Sequence, residues 1–216
     1  MKTIIFILCT LAFCLVHLSC DRNKDFLEIP GPIYESETDI FPLRVGSWWK
    51  YNVVDTLIYT FTGKKEVSQS RLTVTIVDST ILPNGLAATV WTFNQNGKID
   101  TLFAGFRGDT LLFFKKHSKS FFIRFGFLLP LQVGKVWRLP LRDYQVLSRQ
   151  EVRVPAGTFK NAFLVQEIER EGNAFGGNSY FIAPGFGIVK YRYGTFVTLS
   201  ETNHVVVWNL VSFDVK

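Results

Sequence analysis

Hydrophobic and polar residues alternate along most of the chain. In RLTVTIVDST, residues 71–80, Leu72, Val74 and Ile76 fall on one face. In HVVVWNLVSFDV, residues 204–215, the spacing puts Val205, Val207, Val211 and Phe213 on one face and Val206, Trp208 and Leu210 on the other. A period of two marks a strand, and the abundant Val, Thr, Phe, Tyr and Trp suit a pleated surface. Turn signals recur about every ten residues: Thr62-Gly63, Pro83-Asn84-Gly85, Asn96-Gly97, Gly108-Asp109, Pro155-Ala156-Gly157, Gly176-Gly177 and Pro184-Gly185. No stretch from residue 41 onward has a clear helical period. The pattern predicts roughly ten to twelve antiparallel strands joined by hairpins. Without helices to cover it, such a sheet must close on itself or pack on another sheet. The reading is all-β: one domain over residues 41–216, built as a strongly curved antiparallel sheet, a barrel or half-barrel.

One phrase is written twice. FPLRVGSWWKY begins at Phe41 and LPLQVGKVWRL begins at Leu129. Pro suits the chain just before a strand, because its φ is fixed and it has no N–H to donate. Gly46 and Gly134 can take a positive φ and turn the chain sharply. Trp49 and Trp137 then start strands and plug the core, with Lys50 and Arg138 pointing to solvent. This reads as a turn-into-strand corner used twice, and it suggests two similar halves.

In the second half, VPAGTFKNAFLVQ at residues 154–166 is followed by SYFIAPGFGIVKYRYG at residues 179–194. With the Gly134-to-Trp137 corner, these segments resemble exported bacterial β-rich lipoprotein families, some of which look like half-barrel lipoprotein carriers. The resemblance covers about residues 129–194. It implies the fold and an exported lipoprotein, and it assigns no catalytic residue.

The amino terminus belongs to a different kind of sequence. MKTIIFILCTLAFCLVHLSC has Lys2, an apolar run over residues 4–16, then small Ser19 before Cys20. That run is shorter than the ~20 residues a membrane-spanning helix needs. Residues 1–19 therefore read as a signal peptide. The ending His17-Leu18-Ser19-Cys20 resembles a bacterial lipobox, which implies cleavage before Cys20 and acylation of its sulfur. The three cysteines stand at positions 9, 14 and 20, so Cys20 alone would remain in the mature chain, and a lipid-bearing thiol is not a free one. Two acyl chains hold a protein on a membrane, each buried CH₂ contributing ~0.8 kcal/mol. Residues 20–40, charged and carrying Pro30-Gly31-Pro32, read as a tether. No acidic run follows Cys20, which points to the periplasmic side of the outer membrane.

The formal net charge of +6 is modest. It suits a body near an anionic surface, but no nucleic-acid motif accompanies it. Nor is there a nucleophile elbow, a zinc-protease helix, a paired-cysteine motif or a phosphate loop. His117 and His204 are isolated, so neither a metal site nor a cofactor is implied; His117 reads as solvated and His204 as a turn residue. Glu167, Glu169 and Glu171 alternate, so a carboxylate pair for hydrolysis is conceivable there. The competing reading is a solvated face, with Arg149 opposite Glu167 or Glu169 across the hairpin and Arg149, Glu151 and Arg153 supplying cross-strand charge pairs. In LLFFKKHSKSFFIRFGF, residues 111–127, Phe-rich arms flank a tip of Lys115, Lys116, His117, Ser118, Lys119 and Ser120. The tip either touches anionic groups or keeps a core hairpin soluble.

The sequence thus reads as a non-catalytic, lipid-anchored envelope protein that binds a hydrophobic or amphipathic ligand in its curved sheet. The alternative is a structural or assembly subunit of the envelope without a small-molecule ligand. An envelope hydrolase using the Glu167, Glu169 and Glu171 face stands third. If Cys20 carries the anchor, Cys20→Ala should release the protein from membranes on fractionation. Acyl-dependent retention of that variant would contradict the assignment.

Overall fold

The computed structural model describes residues 41–140, 142–169, 174–197 and 202–216. The signal peptide, Cys20, the tether and Glu171 lie outside the described residues, as does the side chain of Glu169. The strands are β1 Trp48–Tyr59, β2 Lys65–Ile81, β3 Ala87–Gln95, β4 Lys98–Arg107, β5 Thr110–His117, β6 Ser120–Leu128, β7 Val136–Arg138, β8 Arg142–Val154, β9 Gly157–Glu169, β10 Ala174–Ala183, β11 Gly187–Val197 and β12 Thr202–Asp214. They form one 12-stranded sheet in the order β6-β5-β4-β3-β2-β1-β12-β11-β10-β9-β8-β7. Every pairing is antiparallel, and the sheet is nearly closed into a barrel.

Each half is a six-stranded meander. The first runs from the middle of the sheet outward, from β1 to β6. The second starts at the opposite edge with β7 and returns until β12 lies along β1, with Trp48 opposite Asp214 and Tyr59 opposite Thr202. The open seam therefore falls between β6 and β7, which are consecutive in the chain. The indole N–H of Trp137 on β7 donates to the Gly126 carbonyl on β6 at 3.1 Å across that seam.

The repeated phrase is a repeated corner. Gly46 and Gly134 have φ of 92° and 87°. The Gly46 N–H donates to the Ile76 carbonyl at 2.8 Å, and the Ile76 N–H donates to the Ser47 carbonyl at 2.9 Å. In the second half the Gly134 N–H donates to Val146 at 2.8 Å, and the Val146 N–H donates to Lys135 at 3.0 Å. Ile76 and Val146 each precede a bulge, where the register slips before Asp78 and before Ser148. A bulge bends and twists its strand, so each half coils at the same place. Trp49 and Trp137 are buried and stack flat on Trp91 and Tyr144, with centroids 5.2 and 5.4 Å apart.

Most turn signals fall where hairpins turn. Asn96 and Gly97 have φ of 52° and 84° between β3 and β4, the pairing a type I′ turn demands. Gly185, with φ of 73°, takes the third position of the Ala183-Pro184-Gly185-Phe186 turn, as type II requires. Gly176-Gly177 is different: both residues lie inside β10. A Cβ at Gly177 would stand 2.6 Å from the Glu167 carbonyl on β9, so the bare backbone permits the close approach of the two strands. A Cβ at Gly126 would meet the Leu111 carbonyl at 2.7 Å.

The faces also hold, with one correction. Leu72, Val74 and Ile76 are buried together. Strict alternation along β12 separates Phe213 from Leu210, yet both pack in the main core. The register slips there, Tyr51 pairing with Leu210 and Lys50 with Ser212. Val211 is the extra residue, and it swaps the faces beyond it.

Adding a methyl at either close approach should force backbone apart. Gly126→Ala and Gly177→Ala should each lower the urea midpoint by an amount equivalent to ~1–3 kcal/mol. Ser68→Ala, on an exposed stretch of β2, should stay within ~0.5 kcal/mol. Equal midpoints for all three variants would contradict this packing.

Candidate functional site

The interior is lined by rings. Trp49 on β1 stacks on Trp91 on β3, and Trp91 meets Phe113 on β5 at 5.4 Å. Phe113 stacks on Phe125 of β6 at 4.4 Å. Phe125 then stacks on Tyr180 of β10 at 5.6 Å, bridging the two halves inside the barrel. Tyr180 contacts Tyr191 of β11, Tyr191 contacts Trp208 of β12 at 4.4 Å, and Trp208 contacts Tyr51 of β1 at 6.0 Å. Tyr51 and Trp49 lie two apart on one strand and so share a face. The chain of contacts thereby returns to its start as an aromatic belt. All eight rings line a cavity of 690 Å³, inside the ~300–1,000 Å³ range of small-molecule pockets.

Two polar handles fix the belt. The Trp49 indole N–H donates to the Phe186 carbonyl at 2.7 Å, and the Tyr51 hydroxyl donates to the Ile188 carbonyl at 2.7 Å. Both reach past β12 to the start of β11. They satisfy the polar tips of buried rings, as such rings require.

One wall of the cavity is polar. Glu167 on β9 is only 2% exposed. Its Oε1 pairs with the Arg142 guanidinium of β8, and no other hydrogen bond reaches that oxygen among the described residues. The Asn178 side-chain amide on β10 donates to Glu167 Oε2 at 2.6 Å, and the Tyr180 hydroxyl stands 3.5 Å from the same oxygen. The Tyr191 hydroxyl donates to the Asn178 Oδ1. Four neighbouring strands thus meet in one network, and Arg142, Tyr144, Asn178, Tyr180 and Tyr191 face the cavity. Burial pushes the Tyr144 hydroxyl up to about 12, partly offset by the charges of Arg142 and Arg124. Burial also holds Tyr51, Tyr180 and Tyr191 above the ordinary tyrosine range. These hydroxyls are neutral hydrogen-bonding groups at physiological pH.

This corrects the solvated-face reading for Glu167. The two-residue turn between Val154 and Gly157 sets Tyr144 opposite Glu167 and Arg142 opposite Glu169. An extra residue at Leu147 on β8 and one at Lys160–Asn161 on β9 offset each other and shift only the pairs between them. Arg149 lies opposite Phe163, 5.3 Å over its ring. Glu151 pairs with Arg153 on its own strand at 2.7 Å. Glu167 was legible all the same: Phe163, Val165 and Glu167 continue one alternation, and the first two are core residues.

The Phe-rich hairpin divides between the two faces. Phe113, Phe125 and Phe127 pack in the main core. Phe114 is buried in a second cluster with Leu82, Ala88 and Leu112, against which Phe103 and Phe121 pack. Lys116, His117, Ser118, Lys119 and Ser120 form an exposed tip, whereas Lys115 lines the cavity and pairs with Asp100. His204 is not a turn residue. It lies within β12 opposite Leu57, with Nε2 2.6 Å from Asp55 Oδ1 on β1. Among the described residues no group of three or more His, Cys, Asp or Glu could hold a metal ion.

No protein-family model matches the chain, and no curated protein matches it. Solved structures resemble it weakly. A candidate lipoprotein from Parabacteroides distasonis shares 11% identity over 81% of this chain and 98% of its own, with a TM-score of 0.37. A candidate exported protein with a YmcC-like fold from Bacteroides fragilis shares 14% over 81% and 98%, with a TM-score of 0.41. A LolA superfamily protein from Nitrosomonas europaea shares 10% over 83% and 90%, with a TM-score of 0.31. These are the kinds of protein that the second-half segments resemble. At such identities and scores they carry no argument about ligand or activity.

Removing the Glu167 carboxylate takes one acceptor from Arg142 and one from Asn178. Leaving buried hydrogen-bonding groups unsatisfied costs ~1–3 kcal/mol, and Arg142 keeps access to water, so Glu167→Ala should lose stability on that scale in chemical denaturation. Glu167→Gln, which keeps an acceptor for Asn178, should lose less. A Glu167→Ala variant as stable as the parent would show that the network is dispensable.

Proposed function

We propose that the protein is a non-catalytic, lipid-anchored envelope protein that holds one hydrophobic or amphipathic molecule inside its barrel. The single observation behind this reading is the 690 Å³ cavity, ringed by aromatic side chains from both halves of the sheet. A fully packed barrel would have filled that space with side chains. The rings offer apolar area that loses little rotamer entropy on binding. The polar wall of Arg142, Asn178 and the tyrosines adds the few oriented hydrogen-bonding groups typical of such pockets. The lipobox supports attachment through Cys20, and the missing acidic run supports the periplasmic face of the outer membrane.

Glu167 does not favour hydrolysis. Its two oxygens are engaged by Arg142 and by Asn178, so the carboxylate serves as the hub of a structural network.

Native mass spectrometry of the protein, purified gently from its own envelope, should show a co-purifying lipid-sized mass that leaves on denaturation. A consistently ligand-free mass, with no uptake of added lipid extract, would contradict the binding reading and favour an assembly subunit.

A further inference from the structure

The cavity's charges do not cancel. Its lining carries Lys98, Lys115, Arg124 and Arg142 among the cations. Lys115 pairs with Asp100, and Arg142 pairs with buried Glu167. Among the described residues no carboxylate pairs with Arg124 or Lys98. Arg124 belongs to β6, between Ile123 and Phe125, and all three residues border the cavity. Its positive charge reaches Tyr144, Tyr180 and Tyr191, where it favours their ionised forms against the larger effect of burial. Arg124 is itself exposed, so it stands at the rim of the cavity, within electrostatic reach of the polar wall.

From this geometry we infer that the ligand is a single-chain amphiphile with an anionic head, a carboxylate or phosphate monoester. Arg124 binds the head, and the aromatic belt holds the chain. The inference rests on the binding reading above and specifies its chemistry. Arg142 is already paired with Glu167, which leaves Arg124 and Lys98 without a carboxylate, and of these two it is Arg124 whose charge reaches the tyrosine wall. A guanidinium offers a planar fork that matches both carboxylate and phosphate. Hydrogen bonds between ionised partners are roughly twice as strong as neutral ones. A cationic head would instead meet Arg124, Lys98 and the Lys115 pair, and like charges in a partly dry site repel. The chain has the 690 Å³ cavity to fill, whose lining includes Trp91, Phe125, Tyr180 and Trp208.

The test compares four ligands that differ only at the head: hexadecanoate, hexadecyl phosphate, hexadecanol and hexadecylamine. Each is titrated into the purified full-length protein below its micelle-forming concentration. The readout is tryptophan fluorescence, since Trp49, Trp91 and Trp208 line the cavity. At least one anion should bind roughly tenfold or more tighter than the alcohol, the scale of a charge-assisted pair, and the amine should bind more weakly than the alcohol. Which anion wins separates a carboxylate ligand from a phosphate ligand. Arg124→Gln should bring that anion close to the alcohol's affinity for the same variant, and Arg124→Lys should restore part of the difference. Lys116→Gln, at the exposed hairpin tip, should leave the preference intact.

If the alcohol or the amine binds as tightly as both anions, the anionic head is wrong and the binding module stands. The same conclusion follows if Arg124→Gln leaves the preference intact, or if Lys116→Gln removes it equally. If none of the four binds, both this inference and the binding reading fall.

Discussion

The pairing of β12 with β1 is the contact on which the rest of the molecule depends. It joins the last strand of the chain to the first along the whole length of both, from Trp48 opposite Asp214 to Tyr59 opposite Thr202. Without it there are two six-stranded meanders, each with an apolar face open to water. With it there is one sheet long enough to curl back on itself, and its free edges come to lie at β6 and β7. Such a pairing is costly to reach, because its partners are far apart in sequence and the loop must close before any contact rewards it. What it gains is a continuous interior. Trp208 lands on Tyr51, and the belt that starts at Trp49 is completed.

The seam opposite that pairing decides the interior's character. If β6 and β7 laddered, the barrel would be closed and could be tightly filled. Instead β7 is only three residues long, and a side-chain bond from Trp137 to Gly126 spans the gap, while Phe125 of β6 stacks on Tyr180 of β10 inside the barrel. Bulges after Ile76 and Val146 coil each half at matching points, and bare backbone at Gly126 and Gly177 lets neighbouring strands crowd. The sheet is curved enough to enclose space without filling it. The polar network around Glu167 then stiffens one wall of that space, because a buried carboxylate tolerates few geometries besides the one that satisfies it.

Much of this was readable in the sequence, for physical reasons that also mark where reading fails. Turns are local, so Asn96-Gly97 and Pro184-Gly185 announce themselves through the φ values their residues allow. The doubled phrase was legible because a corner needs Gly and Trp at fixed spacing, and both copies make the same backbone bonds. Bulges were not legible. One extra residue at Val211 moves Phe213 to the other face, and one on β9 at Lys160–Asn161 moves Arg149 from Ala162 to Phe163. The tight turn at Pro155-Ala156 already keeps Arg149 away from the glutamates. Glu167 shows the subtler failure: its charge argued for solvent, while its place after Phe163 and Val165 argued for the core. Its partner Asn178 comes from the next strand, which no local pattern reveals. The cavity itself is a product of curvature, and curvature is set by the bulges and close approaches that alternation hides.

The central claim is that one chain-like molecule lies inside the barrel, in contact with both halves at once. Isotope-filtered NMR of the labelled protein with unlabelled hexadecanoate tests that most directly. The account predicts ligand-methylene contacts to Trp91 and Phe113 of the first half together with Tyr180 and Trp208 of the second. Contacts confined to the second apolar cluster at Phe103 and Phe121, with none to the belt, would contradict it.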